Sequence, residues 1–205
     1  MSARPVAPDE QQPESFEFEP DVWAEAEKII ARYPEGRQQS AVMPLLDLAQ
    51  RQHGWIPKAA VRTIADKLGM PFIRAYEVAT FYTMYNLAPV GEFHLQLCRT
   101  TPCWLRGADD LRRAIKDRTG LEVAGTSDDG KFSLVEVECL GACCNAPMIQ
   151  INDDFYEDLD YDRCVTLLDK LAAGETVEPG PTIDRKFSAP AEGRKTLLEQ
   201  AGEAS

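Results

Sequence analysis

The sequence predicts an α+β protein, in which an N-terminal four-helix bundle is followed by an α/β domain. In the first part of the chain apolar residues recur at helical spacing, whereas from Phe93 onward they alternate as in a strand. With 205 residues, of which 44% are hydrophobic, the chain can build two domains with real cores. We predict a flexible tail over 1–21, a helical domain over 22–87, an α/β domain over 92–174 and a second flexible tail over 175–205.

Four stretches of the helical domain carry an apolar residue every three or four positions, as one face of a helix does. These stripes cover 23–30, 41–52, 61–68 and 72–83. Glycine or proline separates each stripe from the next, which is typical of helix ends and starts. Four short helices with short links therefore predict a small bundle. Both tails are rich in Pro and Glu and poor in apolar spacing, which favours disorder.

The second domain begins after the loop at 86–91. Phe93, Leu95 and Leu97 alternate with polar residues and predict a strand. A Thr-Thr-Pro sequence then starts a helix predicted to run to about Thr119, before Gly120. A strand over 132–139, a hairpin that turns at 152–153 and a helix over 164–171 complete the pattern. This order predicts a sheet covered by helices.

The charge and hydropathy exclude several classes of function. The chain has 34 acidic and 22 basic side chains, a net charge of −12, whereas a general nucleic-acid binder needs a basic surface. No run approaches the eighteen or so apolar residues that a membrane span requires. The first twenty residues resemble neither a signal peptide nor an organelle transit peptide. We therefore expect a cytoplasmic bacterial protein.

Four of the six cysteines form two pairs, each at the end of a predicted strand. The pairs are Cys98-x₄-Cys103 and Cys139-x₃-Cys143, separated by 35 residues. Loops at neighbouring strand ends can bring four thiols to one point, and Gly141 permits the close backbone approach that such a loop needs. Four thiolates around two irons and two sulfides form an anionic centre, which backbone amides stabilise.

Spacing alone leaves several kinds of site open. A structural Zn²⁺ also accepts four cysteines in pairs of this spacing, and disulfides or simple buried cysteines are further alternatives. Neither pair has the C-x-x-C spacing of thioredoxin-type redox chemistry. A Rieske centre requires two histidines beside its cysteines, so we expect His53 and His94 to be ordinary structural or surface residues. The sequence also lacks the C-x₄-C-x₂-C spacing of plant-type ferredoxins, because Arg106 occupies the position of the third cysteine.

The remaining two cysteines are not expected to be ligands. Cys144 directly follows Cys143, and a side chain next to a ligand usually points elsewhere. Cys164 stands near the start of an amphipathic helix, where a small core residue fits.

Further motifs accompany the cysteine pairs. Gly-Trp-Ile-Pro stands at 54–57, Val-Ala-Thr-Phe-Tyr-Thr-Met-Tyr at 78–85, Asn-Ala-Pro-Met at 145–148, Ile-Asn at 151–152 and Tyr-Glu-Asp-Leu at 156–159. As a set these residues resemble the thioredoxin-like 2Fe–2S ferredoxin subunit of NADH:quinone oxidoreductase, respiratory complex I, over roughly residues 20–175. The resemblance implies a thioredoxin-like second domain. It also implies one 2Fe–2S cluster held by Cys98, Cys103, Cys139 and Cys143, without Cys144 or Cys164.

The resemblance also implies a function within a larger enzyme. The cluster would exchange single electrons with the FMN of a partner subunit that binds NADH, and the chain would join other peripheral-arm subunits at the cytoplasmic face of the bacterial inner membrane. This chain has no G-x-G-x-x-G after a strand and no P-loop, so we expect no NADH, flavin or complete active site on it. Similar subunits occur in NAD-dependent hydrogenases and formate dehydrogenases. A zinc-stabilised adaptor without redox function is the alternative from another class.

Two surface features add to these expectations. Phe81, Tyr82 and Tyr85 suit either a core or an interface, and we predict that part of the helical domain docks on the flavoprotein subunit. The segment 122–173 carries twelve acidic and three basic side chains, six of the acidic ones within 151–162. This acidic run is either a solvated hairpin or a face that meets a basic partner. Acids close to an anionic cluster would make its reduction harder.

Overall fold

The structure, a computed structural model, describes residues 5–193 and Thr196. The chain divides into two compact units after Val90. In the described residues the first unit holds four α-helices, and the second holds a six-stranded sheet and three α-helices. Helices and sheet together confirm the mixed α and β class.

The helices of the first unit follow the predicted stripes. They are α1 (Pro20–Ile30), α2 (Val42–His53), α3 (Lys58–Lys67) and α4 (Phe72–Phe81). All four contribute to one apolar core, in which Ala26, Leu45, Ile64 and Ala79 are fully buried. Helix α4 ends two residues earlier than predicted, because Tyr82 has an extended backbone with ψ of 118°.

The segment before α1 differs from the predicted flexible tail. Ala7 and Phe16 are only 3% and 8% exposed, and Phe16 belongs to the core of the first unit. The amide of Ala7 donates to the carbonyl of Leu87 at 2.9 Å, and Thr63 Oγ1 donates to the carbonyl of Phe16 at 2.8 Å. Composition did not reveal this packing, because two or three apolar anchors can hold a polar segment on a domain. Residues 1–4 of the predicted tail lie outside the described residues.

The second unit is built on a sheet with the order β2-β3-β1-β4-β5-β6. The strands are β1 (Phe93–Cys98), β2 (Gly125–Thr126), β3 (Phe132–Val137), β4 (Ile149–Ile151), β5 (Asp154–Glu157) and β6 (Gly180–Pro181). The central strand β1 pairs in parallel with β3 and antiparallel with β4. The predicted hairpin is confirmed as β4 and β5, and the Ala146–Pro147 peptide bond before β4 is cis. The two-residue edge strands β2 and β6 were not predicted.

Three helices complete this unit, namely α5 (Thr101–Leu105), α6 (Ala108–Thr119) and α7 (Tyr161–Ala172). The single helix predicted over 101–119 is thus two helices, because Gly107 takes φ of +108° between them. Leu111 of α6 and Leu168 of α7 share a buried core with Leu95 of β1. In the part of the chain that the structure describes, no helix is both long and apolar enough to span a membrane.

The segment after α7 also differs from the predicted flexible tail. Gly180–Pro181 adds a short parallel strand to β5, and the amide of Thr182 donates to the carbonyl of Glu157 at 3.0 Å. Arg185 forms an ion pair with Asp158 at 2.8 Å. The composition of the segment could not predict these contacts, because each contact joins residues more than twenty positions apart in the sequence. Residues 194–195 and 197–205 of the predicted tail lie outside the described residues.

Candidate metal centre

The topology brings both cysteine pairs to one edge of the sheet. Strands β1 and β3 are parallel, and Cys98 at the end of β1 lies beside Val137 at the end of β3. The loops that leave these strands therefore start at the same edge. One loop leads through Thr100 into α5, which carries Cys103, and the other contains Cys139 and leads to Cys143.

The four thiols are in contact as two linked pairs. The Sγ atoms of Cys139 and Cys143 lie 3.3 Å apart. Cys98 and Cys103 are close enough that each shifts the pKa of the other's thiol. Thr100 lies near both pairs, because its hydroxyl is 3.4 Å from the sulfur of Cys98 and also helps to lower the pKa of Cys139. The structure thus brings together the four sulfurs that the sequence singled out.

Backbone amides point at these sulfurs. The amide of Gly141 donates to Cys139 Sγ at 3.4 Å, and Gly141 takes φ of +89°, a conformation that L side chains rarely adopt. Amide donors also reach the sulfurs of both buried cysteines, from Thr100 and Leu140 to Cys98 and from Met148 to Cys103. Aimed amides stabilise negative charge on sulfur, as an anionic cluster requires.

The two buried sulfurs differ in acidity. Burial alone raises the pKa of the Cys98 thiol, but the hydrogen bonds from Thr100, Leu140 and Cys103 outweigh it and leave that pKa below its ordinary value. Burial also raises the pKa of the Cys103 thiol, and the contact with Cys98 acts in the same direction. Together they raise it to about 12. Cys98 is therefore the more acidic thiol of this pair.

The exposed pair has the same arrangement. The amide of Gly141 and then the thiol of Cys143 lower the pKa of Cys139. The contact with Cys139, and then desolvation, raise the pKa of Cys143. Metal binding requires the thiolate form of each cysteine, so all four thiols would lose their protons when a cluster binds.

The donor set fits a binuclear iron–sulfur cluster. Among the described residues, no group of three or more His, Cys, Asp or Glu side chains is arranged to hold a metal ion. Two pairs of cysteines supply the four thiolates that a 2Fe–2S cluster would need. Cys98 and Cys103 are 2% and 1% exposed, whereas Cys139 and Cys143 are exposed, so the site is open on one side.

The other cysteines and the histidines have different surroundings. Cys164 is fully buried in the core around α7, where burial raises the pKa of its thiol to about 12. Cys144 is exposed and lines a cleft of about 460 Å³ beside the cysteine loop. His94 Nδ1 lies 2.8 Å from Ser133 Oγ, and His53 packs against the rings of aromatic neighbours.

The sequence pattern assigned no role at the site to several residues that shape it. Thr100 lies inside the first cysteine motif, so its position was a usable signal. Asn145 follows Cys144 and is 2% exposed, with its side-chain amide donating to Glu157 Oε2 at 2.8 Å. Arg185 donates to the carbonyl of Cys144 from a segment in which no sequence pattern indicated a helix, a strand or a site.

Only part of the acidic run lies next to the cysteine loop. Glu157, at the end of β5, bonds to Asn145, and the neighbouring Asp158 donates its amide to the Asn145 carbonyl at 2.8 Å. Burial and then the charge of Asp158 raise the pKa of Glu157. Asp154 begins β5 at the opposite end of the strand. Of the six acids of 151–162, Glu157 and Asp158 are thus bonded directly to the turn that carries Cys143.

Comparison with known proteins identifies the family. Residues 26–172 match the family model for the thioredoxin-like [2Fe-2S] ferredoxin. The chain is 54% identical to an NADH-quinone oxidoreductase subunit of Rickettsia bellii (strain RML369-C) over 158 residues, which cover 77% of this chain and 95% of that protein. It is 50% identical to an NADH-quinone oxidoreductase subunit of Rhizobium meliloti (strain 1021), over 96% of this chain and 73% of that protein.

More distant likenesses agree. The chain is 48% identical to the mitochondrial NADH dehydrogenase [ubiquinone] flavoprotein 2 of Dictyostelium discoideum, over 90% of this chain and 75% of that protein. Its fold resembles part of an NAD⁺-reducing [NiFe]-hydrogenase in the H₂-reduced state, with a TM-score of 0.57 at 17% identity. That match covers 64% of this chain but only 23% of the hydrogenase chain, and it concerns the fold alone. With the family model covering residues 26–172 and relatives at half identity or more, the chain belongs to the thioredoxin-like [2Fe-2S] ferredoxin family.

Proposed function

We propose that this chain is the electron-transfer subunit of an NADH:quinone oxidoreductase, with one 2Fe–2S cluster held by Cys98, Cys103, Cys139 and Cys143. The observation that carries the proposal is the convergence of these four sulfurs at one sheet edge, with backbone amides aimed at them. The bacterial relatives, which are subunits of NADH-quinone oxidoreductase, support the same assignment.

The chain's own residues hold and shield the centre. The four thiolates bind it, and the amides of Leu140, Gly141 and Met148 offset their negative charge. When bound, the cluster supplies a centre that takes up and releases one electron at a time. Cys139 and Cys143 lie on the exposed side, which is where a partner's redox group can approach.

The proposal assigns NADH and FMN to a partner flavoprotein subunit, because a one-electron centre cannot accept a hydride. The chain thus acts as part of an enzyme of the peripheral arm, at the cytoplasmic face of the bacterial inner membrane. We assign the first unit as a four-helix bundle that docks on the flavoprotein. Phe81 and Met84, at and just after the end of α4, support this docking because they are 77% and 51% exposed.

Metal content tests the proposal directly. The purified full chain should be coloured, contain two irons and two sulfides per monomer, and give an electron paramagnetic resonance signal after reduction with dithionite. A colourless chain that binds one zinc per monomer would overturn the proposal in favour of the zinc-stabilised adaptor.

A second candidate that the cysteine motifs fit equally well is the equivalent diaphorase subunit of an NAD-dependent hydrogenase. The metal centre would be the same, so metal analysis cannot separate the two candidates. Affinity purification of the tagged chain from its own cells separates them. Recovery with quinone-reducing subunits supports the first candidate, and recovery with a nickel-containing subunit supports the second.

A further inference from the structure

A segment after α7 folds back over the loop that carries Cys143. We call residues 180–189 the strap. It pairs with β5 through Gly180–Pro181, and Thr182 Oγ1 donates to the carbonyls of Glu157 and Asp158 at 2.9 and 2.8 Å. The strap is therefore anchored on the strand that lies next to the Cys143–Asn145 turn.

Arg185 is the central side chain of the strap. Only 7% of it is exposed, which is rare for an arginine. Its Nη1 lies 2.8 Å from Asp158 Oδ1 and also donates to the carbonyl of Cys144 at 3.2 Å, while its Nε donates to the carbonyl of Ala189 at 2.8 Å. One guanidinium thus joins the end of β5, the residue after Cys143 and the strap itself.

Asn145 adds a second link across the same junction. Its Nδ2 donates to Glu157 Oε2 at 2.8 Å and to the carbonyl of Phe187 in the strap at 3.0 Å. The turn is also closed internally, since the amide of Asn145 donates to the carbonyl of Ala142 at 2.9 Å. The short turn that contains Cys143 is therefore bonded to β5 and to the strap.

Arg185 supplies the positive charge that partly offsets the two carboxylates at this junction. The side chain of Asp158 is 9% exposed, and its Oδ2 has no hydrogen-bond partner in the described residues. Glu157 is its neighbour, and both carboxylates lie beside a loop whose thiolates are negative when metal is bound. Removal of one partner from a buried ion pair leaves an uncompensated charge, which is strongly unfavourable.

We propose that Arg185 is a positioning residue for the cluster: it locks the turn that carries Cys143 against β5 and supplies the positive charge that this junction requires. The inference rests on the proposed function, because it concerns how the chain keeps its cluster. Loss of Arg185 should loosen the turn, speed the release of iron and make the cluster harder to reduce, since a nearby positive charge favours the added electron.

The test compares Arg185→Gln with Arg113→Gln in the full chain. Arg113 forms an exposed ion pair with Asp110 on α6, so its replacement makes the same charge change away from the cysteine loops. We expect Arg185→Gln to release iron to a chelator about 10-fold faster than wild type, as loss of groups that support metal ligands does. Its midpoint potential should be more negative, Arg185→Lys should restore most of that potential, and Arg113→Gln should match wild type in both measurements.

A measurement without the cluster tests the positioning role by itself. Hydrogen exchange of the metal-free chain should be faster at the amides of Asn145 and Asp158 in Arg185→Gln than in Arg113→Gln. If Arg185→Gln yields no soluble chain, Arg185→Lys is compared with Arg113→Gln. Faster exchange at these two amides in Arg185→Lys would support the positioning role. Exchange, iron release and potential that all match Arg113→Gln would overturn the inference. A wild-type chain without iron would instead defeat the proposed function.

Discussion

The sulfur atoms of Cys139 and Cys143 lie 3.3 Å apart in an exposed loop, and the amide of Gly141 between them donates to Cys139. The Gly141 amide and then the contact with Cys143 lower the pKa of Cys139, whereas the contact with Cys139 and then desolvation raise the pKa of Cys143. Cys144 is also exposed but belongs to neither pair. This contrast between neighbouring cysteines provides a sharp test of the ligand assignment.

Cys139→Ser should lose the cluster, whereas Cys144→Ser should keep it. Serine is a poor ligand for iron, so we expect cluster occupancy to fall at least about 10-fold in the first variant. Visible absorbance and iron content per chain measure the effect, with far-ultraviolet circular dichroism as the check on folding. A coloured Cys139→Ser or a colourless Cys144→Ser would contradict the assignment.

His94 should make the stability of the fold depend on pH. Burial lowers the pKa of His94 from its ordinary 6.5 to about 4, and Nδ1 lies 2.8 Å from Ser133 Oγ. The folded state therefore favours the neutral ring. Its contribution is fully present above pH 6.5 and is lost as the pH falls to about 4, with a total of about 3 kcal/mol.

Urea unfolding at several values across that pH range measures the contribution. His94→Asn keeps an acceptor near Ser133 but does not titrate, so its free energy of unfolding should fall less steeply with decreasing pH. Equal slopes for wild type and His94→Asn would show that other groups cause the pH dependence.

Phe81→Ser should weaken docking on the flavoprotein without unfolding the chain. Phe81 is 77% exposed, so its replacement should change the free energy of unfolding by no more than about 0.5 kcal/mol. Loss of a central aromatic anchor should weaken binding at least about 10-fold. Ile73→Ser is the matched control, because Ile73 is 56% exposed near the start of the same helix. Equal recovery of the flavoprotein with both variants would place the interface elsewhere.

Gly91→Ala should destabilise the sheet. A Cβ at this position would lie 2.6 Å from the carbonyl carbon of Phe132, so β3 would have to move. The amide of Gly91 also donates to Ser133 Oγ at 3.0 Å. We expect a loss of about 1–3 kcal/mol, as for other overpacked positions. Thermal unfolding measures it, and an unchanged melting temperature would contradict the predicted crowding.

The spacing of apolar residues along the chain predicted most of the helices and the main strands. The helical stripes and the alternation at Phe93 predicted their elements because burial imposes a period on each element. The same reasoning failed at Gly107, where a single positive φ divides one apolar stripe into two helices. It also failed for β6, because two residues are too few to show any period.

The cysteine spacing by itself determined which four thiols to consider, since each pair stands at a strand end and loops at parallel strand ends start from one edge. Which groups support those thiols was decided only by the tertiary structure. Thr100 lies near both pairs, and Arg185 joins the loop of Cys143 to Asp158 from 41 residues beyond Cys144. Such contacts produce no periodic pattern in the sequence. They depend on which distant segments the tertiary fold brings together, and not on the neighbouring residues in the chain. The strap could therefore be recognised only when β5, the turn and Arg185 were seen together.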